Sequence, residues 1–239
     1  MTTEVLIAIQ ARSNSTRFPG KIYQKVGNRR VLDMVIDQAT SAANHINRKP
    51  GKIDIRCQVA VLHPDGDTEL VNAFNSSGCL MIPGPEQDVL TRYVNAMNRC
   101  GSDYIVRLTS DCPLMLDYVV VKHIYVAAFN CLDYVSNIEE SCRFVADGFD
   151  CEIISKKAIN WLNENAKSDF DREHVTTLIR KERPRSLTQG FVSLKIDSSD
   201  MKMSVDTPED LERIREYYHR REGKMNTAKR LFGKCIYEL

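Results

Sequence analysis

The chain has 239 residues, 43% of them hydrophobic and 27% charged, which is the composition of an ordinary water-soluble globular protein. Its formal net charge of +1 gives no global field toward nucleic acid or an anionic membrane, so any anionic ligand has to be caught by a local cluster of cations. A chain of this size buries roughly 70–75% of its unfolded surface and needs no metal or disulfide staple to fold.

Short apolar strands alternate with amphipathic helices almost from end to end. Val5–Ile9 reads as a buried parallel strand, and Val31–Ala43 places Val31, Val35, Ala39 and Ala42 on one helical face. Cys57–Leu62 is a second strand, followed by a helix beginning near Asp67, and Cys79–Ile82 is a third. Asp88 reads as the N-cap of a helix through Arg99 that Gly101 closes, and Tyr104–Leu108 is the fourth strand. Further strands are expected at Tyr134–Ser136, Phe149–Ile154, Phe191–Lys195 and Met201–Val205. Helices are expected from Ser155 to Asn163 and from an Asp171 cap to about Lys181. Thr207 at N-cap, Pro208 at N1 and Glu209 and Asp210 in the first turn open the last helix.

This rhythm predicts a Rossmann-like α/β fold, a mostly parallel twisted sheet with helices on both faces. The chain reads as one domain, with a small strand and helix insertion at about 132–165 and a basic tail over 222–239. The eight cysteines, Cys57, Cys79, Cys100, Cys112, Cys131, Cys142, Cys151 and Cys235, contain no C-x-x-C pair and read as reduced thiols. Met1–Glu4 leads straight into a strand without a basic leader, and no apolar run approaches the ~20 residues of a membrane span. The expectation is a cytoplasmic protein that meets neither membrane nor nucleic acid.

Open parallel sheets bind ligands at the carboxyl ends of their strands. The loop after the first strand, Gln10-Ala11-Arg12-Ser13-Asn14-Ser15-Thr16-Arg17-Phe18-Pro19-Gly20-Lys21, gathers three cations, small hydroxyl residues and a Pro-Gly turn. Arg12 and Arg17 offer planar forks to phosphate oxygens and Lys21 a compact charge. Gly20 and Asn14 are residue types that tolerate positive φ, as a phosphate cradle of inward N–H groups requires. A solvated basic loop would have the same composition. Neither a Walker A ending nor a G-x-G-x-x-G fingerprint is present.

Two aspartates fall just past strand ends, Asp111 in Thr109-Ser110-Asp111-Cys112-Pro113 and Asp206 in Asp206-Thr207-Pro208. Mg²⁺ is commonly held by one or two carboxylates, with phosphates and waters completing the octahedron. Facing the basic loop, the pair would make a Mg-triphosphate site.

The segments A-R-S-N-S-T-R-F-P-G-K, D-V-L-T-R-Y (Asp88–Tyr93), V-R-L-T-S-D-C-P-L (Val106–Leu114), D-R-E-H-V-T (Asp171–Thr176) and V-D-T-P-E-D-L-E (Val205–Glu212) occur in this order. Together they resemble the cytidylyltransferases of spore-coat polysaccharide synthesis, relatives of the CMP-KDO and CMP-nonulosonate synthetases. The resemblance covers about residues 4–220. It implies CTP as donor and Mg²⁺ as cofactor, with Arg12, Arg17 and Lys21 on the triphosphate and Asp111 and Asp206 on the metal. It also implies a homodimer built through about Leu132 to Asn165. Arg12, Lys21, Asp111 and Asp206 would be catalytic. Gln10, Ala11, Arg12, Asn14, Ser15, Arg17, Gly20, Lys21, Asp88 and Arg107 would line the nucleotide. Where relatives usually carry Met-Gly, this chain has Ser13-Asn14.

For a small anionic acceptor the candidates are Asp150, Glu152, Arg172 and His174. Asp150 and Glu152 lie two apart on an expected strand and so share a face. Arg172 and His174 open an expected helix, where a cation opposes the dipole unless an anion sits nearby. Arg107, inside an apolar strand, is costly to bury alone and is expected to pair with Asp88 or a nucleotide group. Three other readings fit parts of the sequence. One is a transferase using another nucleotide such as UTP on a sugar phosphate. Another is a GT-A glycosyltransferase built on Asp65-Gly66-Asp67, and the third is a catalytically dead scaffold.

Overall fold

A computed structural model describes residues 2–48, 53–139, 145–193 and 199–222. The strands are β1 (Thr3–Gln10), β2 (Lys25–Val26), β3 (Arg29–Arg30), β4 (Ile55–Pro64), β5 (Leu80–Gly84), β6 (Tyr104–Thr109), β7 (Tyr134–Ser136), β8 (Glu152–Ser155) and β9 (Gln189–Phe191). Seven of them form one sheet in the order β5-β4-β1-β6-β8-β7-β9, and β2 and β3 make a separate small ribbon. β1 pairs parallel with β4 on one side and β6 on the other, which puts the loops after β1 and β6 side by side. β8 runs antiparallel to both β6 and β7, so the sheet is mostly parallel rather than wholly so.

The alternation of side chains along β1 divides the core in two. Val5, Ile7 and Ile9 face α1 (Val31–Arg48) and α4 (Asp117–Asn130). Leu6 and Ala8 face α3 (Val89–Cys100), α5 (Lys156–Asn165) and α7 (Thr177–Glu182), while the short α6 (Asp169–His174) lies against α3. Ile7 and Leu6 are both fully buried, each worth about 1.5–3 kcal/mol on burial, so both sheet faces need a helical layer. α2 (Thr68–Phe74) follows β4, and α8 (Pro208–Glu222) packs beside the β2–β3 ribbon through Val26, Val31, Leu211 and Ile214. This is a Rossmann-like architecture, as the sequence predicts. The strands expected at 134–136 and 149–154 are integral to the sheet, not a separate layer.

Four boundaries differ from the expectations. β8 begins at Glu152, so Asp150 precedes the strand and does not share a strand face with Glu152. The helix expected from an Asp171 cap is two helices. Ser168 caps α6 by accepting the Asp171 N–H at 3.1 Å, and Val175 at φ 60° breaks the chain before α7. Met201–Val205 makes no ladder strand, and only Asp147 and Lys202 form an isolated parallel bridge. The strand expected at Phe191–Lys195 is β9, shifted toward the N-terminus, and 194–195 lie outside the described residues. So do Cys142, Cys235 and the tail from 223. The six described cysteines are free thiols, and burial pushes Cys57 up to about 12. Among the described residues no helix is long and apolar enough to cross a membrane.

Candidate active site

The loop after β1 is shaped by contacts its sequence can make. Gly20 takes a left-handed conformation at φ 69° and leads into a short 3₁₀ turn, Lys21–Tyr23, with its N–H donating to the Ser13 carbonyl at 3.1 Å. Asn14 is not among the residues at positive φ, so the turn is made by the glycine alone. Ser13 is fixed from outside the loop. Its N–H donates to Asp67 Oδ2 at 2.9 Å and its hydroxyl to Asp67 Oδ1 at 2.6 Å.

Asp111 and Asp206 are brought together by backbone. The Val205 N–H donates to the Asp111 carbonyl at 2.8 Å, tying the residue before Asp206 to the end of β6. The preceding segment is held in turn by Asp147, whose carbonyl accepts the Met203 N–H at 2.5 Å and whose carboxylate accepts the Ser204 hydroxyl at 2.7 Å. Asp210 completes the corner by accepting the N–H groups of Asp206 and Thr207 at 2.9 and 3.1 Å.

Cations from the first loop meet these carboxylates. Lys21 Nζ lies 2.6 Å from Asp111 and 3.4 Å from Asp206, and Arg17 lies 2.9 Å from Asp206. Lys202 closes on Asp206 from the other side at 3.2 Å. Burial raises the Asp111 carboxyl, but the charge and hydrogen bond of Lys21 outweigh it and hold Asp111 below its ordinary value. Asp111 is therefore ionised wherever the enzyme is folded at neutral pH.

A cavity of about 200 Å³ opens over this cluster, lined by Gln10, Ala11, Arg12, Ser15, Arg17 and Lys21 from the first loop. Thr16 of the same loop, Val89 and Arg92 of α3, Thr109 at the end of β6, Ser110 and Asp111 just past it, Glu173 of α6 and Asp206 complete it. The two aspartates supply hard oxygen ligands of the kind Mg²⁺ or Mn²⁺ takes. Among the described residues no group of three His, Cys, Asp or Glu side chains gathers for a metal. Any divalent ion here would thus need phosphate or water oxygens beyond the two aspartates.

Other expected site residues sit elsewhere. Arg107 pairs with Glu152 at 2.8 Å and not with Asp88, because the antiparallel register of β6 and β8 sets the two opposite each other. Glu152 is 1% exposed, accepts the Tyr134 hydroxyl at 2.5 Å, and faces no open cleft. Asp88 caps α3 through the Thr91 N–H at 2.9 Å and pairs with Arg172 at 2.8 Å. Arg172 lies in the last turn of α6, where a cation suits the dipole, so Asp88 and the local helix geometry account for it. His174 is exposed against Phe170, ring centroids 4.3 Å apart. Asp88, Arg107, Asp150, Glu152, Arg172 and His174, with Asn14 and Gly20, do not line the cavity. The Asp65-Gly66-Asp67 string also has another use. Asp67 caps α2 through the Leu70 N–H at 3.2 Å besides holding Ser13.

Arg92 and Glu173 line the cavity without having been picked out from sequence. For Arg92 a signal exists, since it falls on the helical face of Val89, Tyr93 and Ala96, where a cation is out of place. Glu173 falls within the segment Asp171–Thr176, but its own spacing carries no such signal.

A basic loop after the first strand of a Rossmann-like sheet, facing one aspartate just past β6 and a second one tied beside it ahead of α8, defines a nucleotidyltransferase. The chain belongs to the cytidylyltransferase family, which it matches over residues 6–234. It is 25% identical over 223 residues to the spore coat polysaccharide biosynthesis protein SpsF of Bacillus subtilis, covering 91% of this chain and 87% of that one. It is 29% identical over 214 residues to an uncharacterized protein of Methanocaldococcus jannaschii, covering 85% and 82%. Among solved structures, a cytidylyltransferase from Leptospira borgpetersenii superposes with a TM-score of 0.80 at 23% identity, over 99% of this chain and 98% of that one. A CMP:2-keto-3-deoxy-manno-octonic acid synthetase complexed with CTP superposes with a TM-score of 0.69 at 15% identity, over 92% and 100%.

Proposed function

We propose that this enzyme transfers CMP from CTP to an oxygen of a small acidic acceptor, a sugar acid, phosphate or phosphonate, with Mg²⁺ as its metal. The acceptor oxygen attacks the α-phosphorus, the bond from that phosphorus to the α–β bridging oxygen breaks, pyrophosphate leaves with the electron pair, and a hydroxyl acceptor gives up its proton to solvent. The observation that carries this reading is the meeting of Arg17 and Lys21 with Asp111 and Asp206 under one cavity.

Without ligand the cations and carboxylates neutralise one another. A triphosphate would draw Arg12, Arg17 and Lys21 onto its oxygens, where they offset charge developing on the leaving pyrophosphate. Asp111 and Asp206, released from those cations, would hold the divalent ion, which when bound neutralises triphosphate charge. Asp210 and the Asp111–Val205 backbone bond keep the two carboxylates adjacent and so limit reorganisation. The preference for an acidic acceptor is supported by the excess of cations on the cavity wall and by the sugar acid in the name of the CTP-bound relative. Dimerisation through residues 132–165 is part of the same proposal and is read by sedimentation, which should give twice the chain mass.

The test is product analysis. CTP and Mg²⁺ incubated with a panel of 2-keto sugar acids, sugar phosphates and phosphonates should give pyrophosphate and a CMP- or CDP-linked product by mass spectrometry. Consumption of UTP in preference to CTP would move the enzyme to the sugar-phosphate reading. Release of a nucleoside diphosphate would move it to glycosyl transfer.

A further inference from the structure

Arg92 is a cation in a place where a cation needs a reason. It lies in the middle of α3 and is 1% exposed, among the largest fully buried side chains of the molecule. Its stem is packed against the end of β5, where a Cβ added to Gly84 would lie 2.7 Å from Arg92 Cγ. Only one of its nitrogens is used, Nη2 donating to the Glu86 carbonyl at 2.8 Å. Nε and Nη1 are buried without a hydrogen-bond partner, and the side chain lines the cavity of the candidate active site.

No carboxylate compensates this charge. Among the described residues Arg92 enters no salt bridge. Burial is the largest influence and lowers its pKa; Tyr93 acts next and upward, the Arg12 guanidinium lowers it again, and Glu86 and Asp65 raise it more weakly. Arg12 itself is exposed, lines the same cavity and makes no ion pair with a described residue. An unpaired buried guanidinium is strongly disfavoured, and the charge of Arg12 adds repulsion. The other cavity cations, Arg17 and Lys21, already hold Asp206 and Asp111.

We propose that Arg92 and Arg12 together form an oxyanion subsite, separate from the Lys21–Asp111–Asp206 cluster, in which Nε and Nη1 of Arg92 make a forked pair of hydrogen bonds to one phosphate or carboxylate group. This deepens the nucleotidyl-transfer reading of the same cavity and rests on it for the source of the anion. Two sources share the chemistry, a phosphate of the nucleotide or the acidic group of the acceptor. Gln10 Oε1, also buried and unpartnered in this cavity, supplies an acceptor nearby for a hydroxyl or amino group of the same ligand. Arg92 is thus a binding residue that fixes the ligand from the α3 side, while Lys21 and Arg17 hold it from the β6 side.

The experiment compares wild type with Arg92→Met and Arg92→Lys, by titration calorimetry with CTP, pyrophosphate and inorganic phosphate. Met fills much of the same volume without charge, so removing an unpaired buried cation should leave the unliganded melting temperature at or above that of wild type. A structural role for Arg92 would lower it. Loss of a forked, charge-assisted contact should weaken the anion about tenfold or more, with Lys intermediate because it keeps charge but not the fork. Weaker CTP and pyrophosphate binding assigns the subsite to the nucleotide. Unchanged CTP binding with weaker phosphate binding to the CTP-saturated enzyme assigns it to the acceptor. Unchanged affinity for all three anions in both variants overturns the proposal. If Arg92→Met does not fold, Arg92→Lys decides between the same outcomes. A wild type that binds pyrophosphate but not CTP would retire the cytidylyl reading and leave the Arg92 subsite standing.

Discussion

Asp67 reaches from the start of α2 to hold Ser13 by both its N–H and its hydroxyl while capping its own helix. The arrangement anchors the first loop to the start of α2. Asp67→Ala should cost about 1 kcal/mol for the lost cap and also raise KM for the nucleotide. Ser13→Ala, which removes only the hydroxyl bond, should raise KM with a smaller change in melting temperature. Steady-state kinetics beside thermal denaturation separates the two effects, and equal KM for both variants and wild type would show that the anchor is idle. At this scale the loop cations were legible because they are clustered between two turn residues. The Arg107–Glu152 pair was not, because it depends on the direction of β8, which a short apolar run does not reveal.

The segment 201–205 that leads into α8 makes no regular strand, yet its position decides where Asp206 goes. Residues 201–205 are stitched to Asp147 by three hydrogen bonds and to Asp111 by one, and pass directly over Gly148. Gly148 sits at φ 106°, and a Cβ there would lie 2.4 Å from the Met203 carbonyl carbon. Gly148→Ala should therefore cost about 2 kcal/mol or more in urea denaturation, from backbone strain and overpacking together. It should also weaken nucleotide binding by displacing the segment that carries Asp206. A variant as stable and as tight as wild type would mean that this crossing does not position the aspartate. The apolar run 117–130 shows why some elements stay hidden. In α4, Val119, Val120, Val121, Ile124 and Ala127 are all buried between α1 and the sheet, so no polar stripe marks a period of 3.6. Helices with clear caps, such as α3 after Asp88 and α5 after Ser155, were legible from the cap and the amphipathic stripe together.

Across the whole molecule, buried ionisable groups set the response to acid in two stages. His123 is fully buried in α4, and desolvation lowers its imidazole from 6.5 to about 4, the Val119 carbonyl pulling the other way. Between those values the unfolded chain binds more protons than the folded one, so stability is fully present above the unfolded value and falls as the pH drops toward 4. The window corresponds to ~3 kcal/mol, and His123→Leu should flatten it in urea titrations between pH 7 and 4. An unchanged slope would exclude His123 as its source. Asp88, Asp111, Asp133 and Glu152 are held below their ordinary values. In each, burial acts first and upward and is outweighed by cationic neighbours and hydrogen bonds. Their contribution is present above the ordinary carboxylate range and is lost only as the pH falls through the lowered values, so it forms a second, more acidic stage. The fold class was legible because parallel strands and capped helices repeat along the chain. The placing of Arg92 and Arg12 on one cavity wall was not, since it arises only when α3 and the first loop converge.

The central claim is that Arg17, Lys21, Asp111 and Asp206 form a metal-dependent CTP site. Thermal shifts with CTP, UTP, ATP and GTP, with and without Mg²⁺, on wild type, Asp111→Asn and Asp206→Asn test it most directly. A ligand at a hundred times its Kd adds about 2.7 kcal/mol of stability. The account predicts a Mg²⁺-dependent shift with CTP that exceeds the others and is lost in both variants. An equal response to all four nucleotides, or a CTP shift that survives both substitutions, would contradict it.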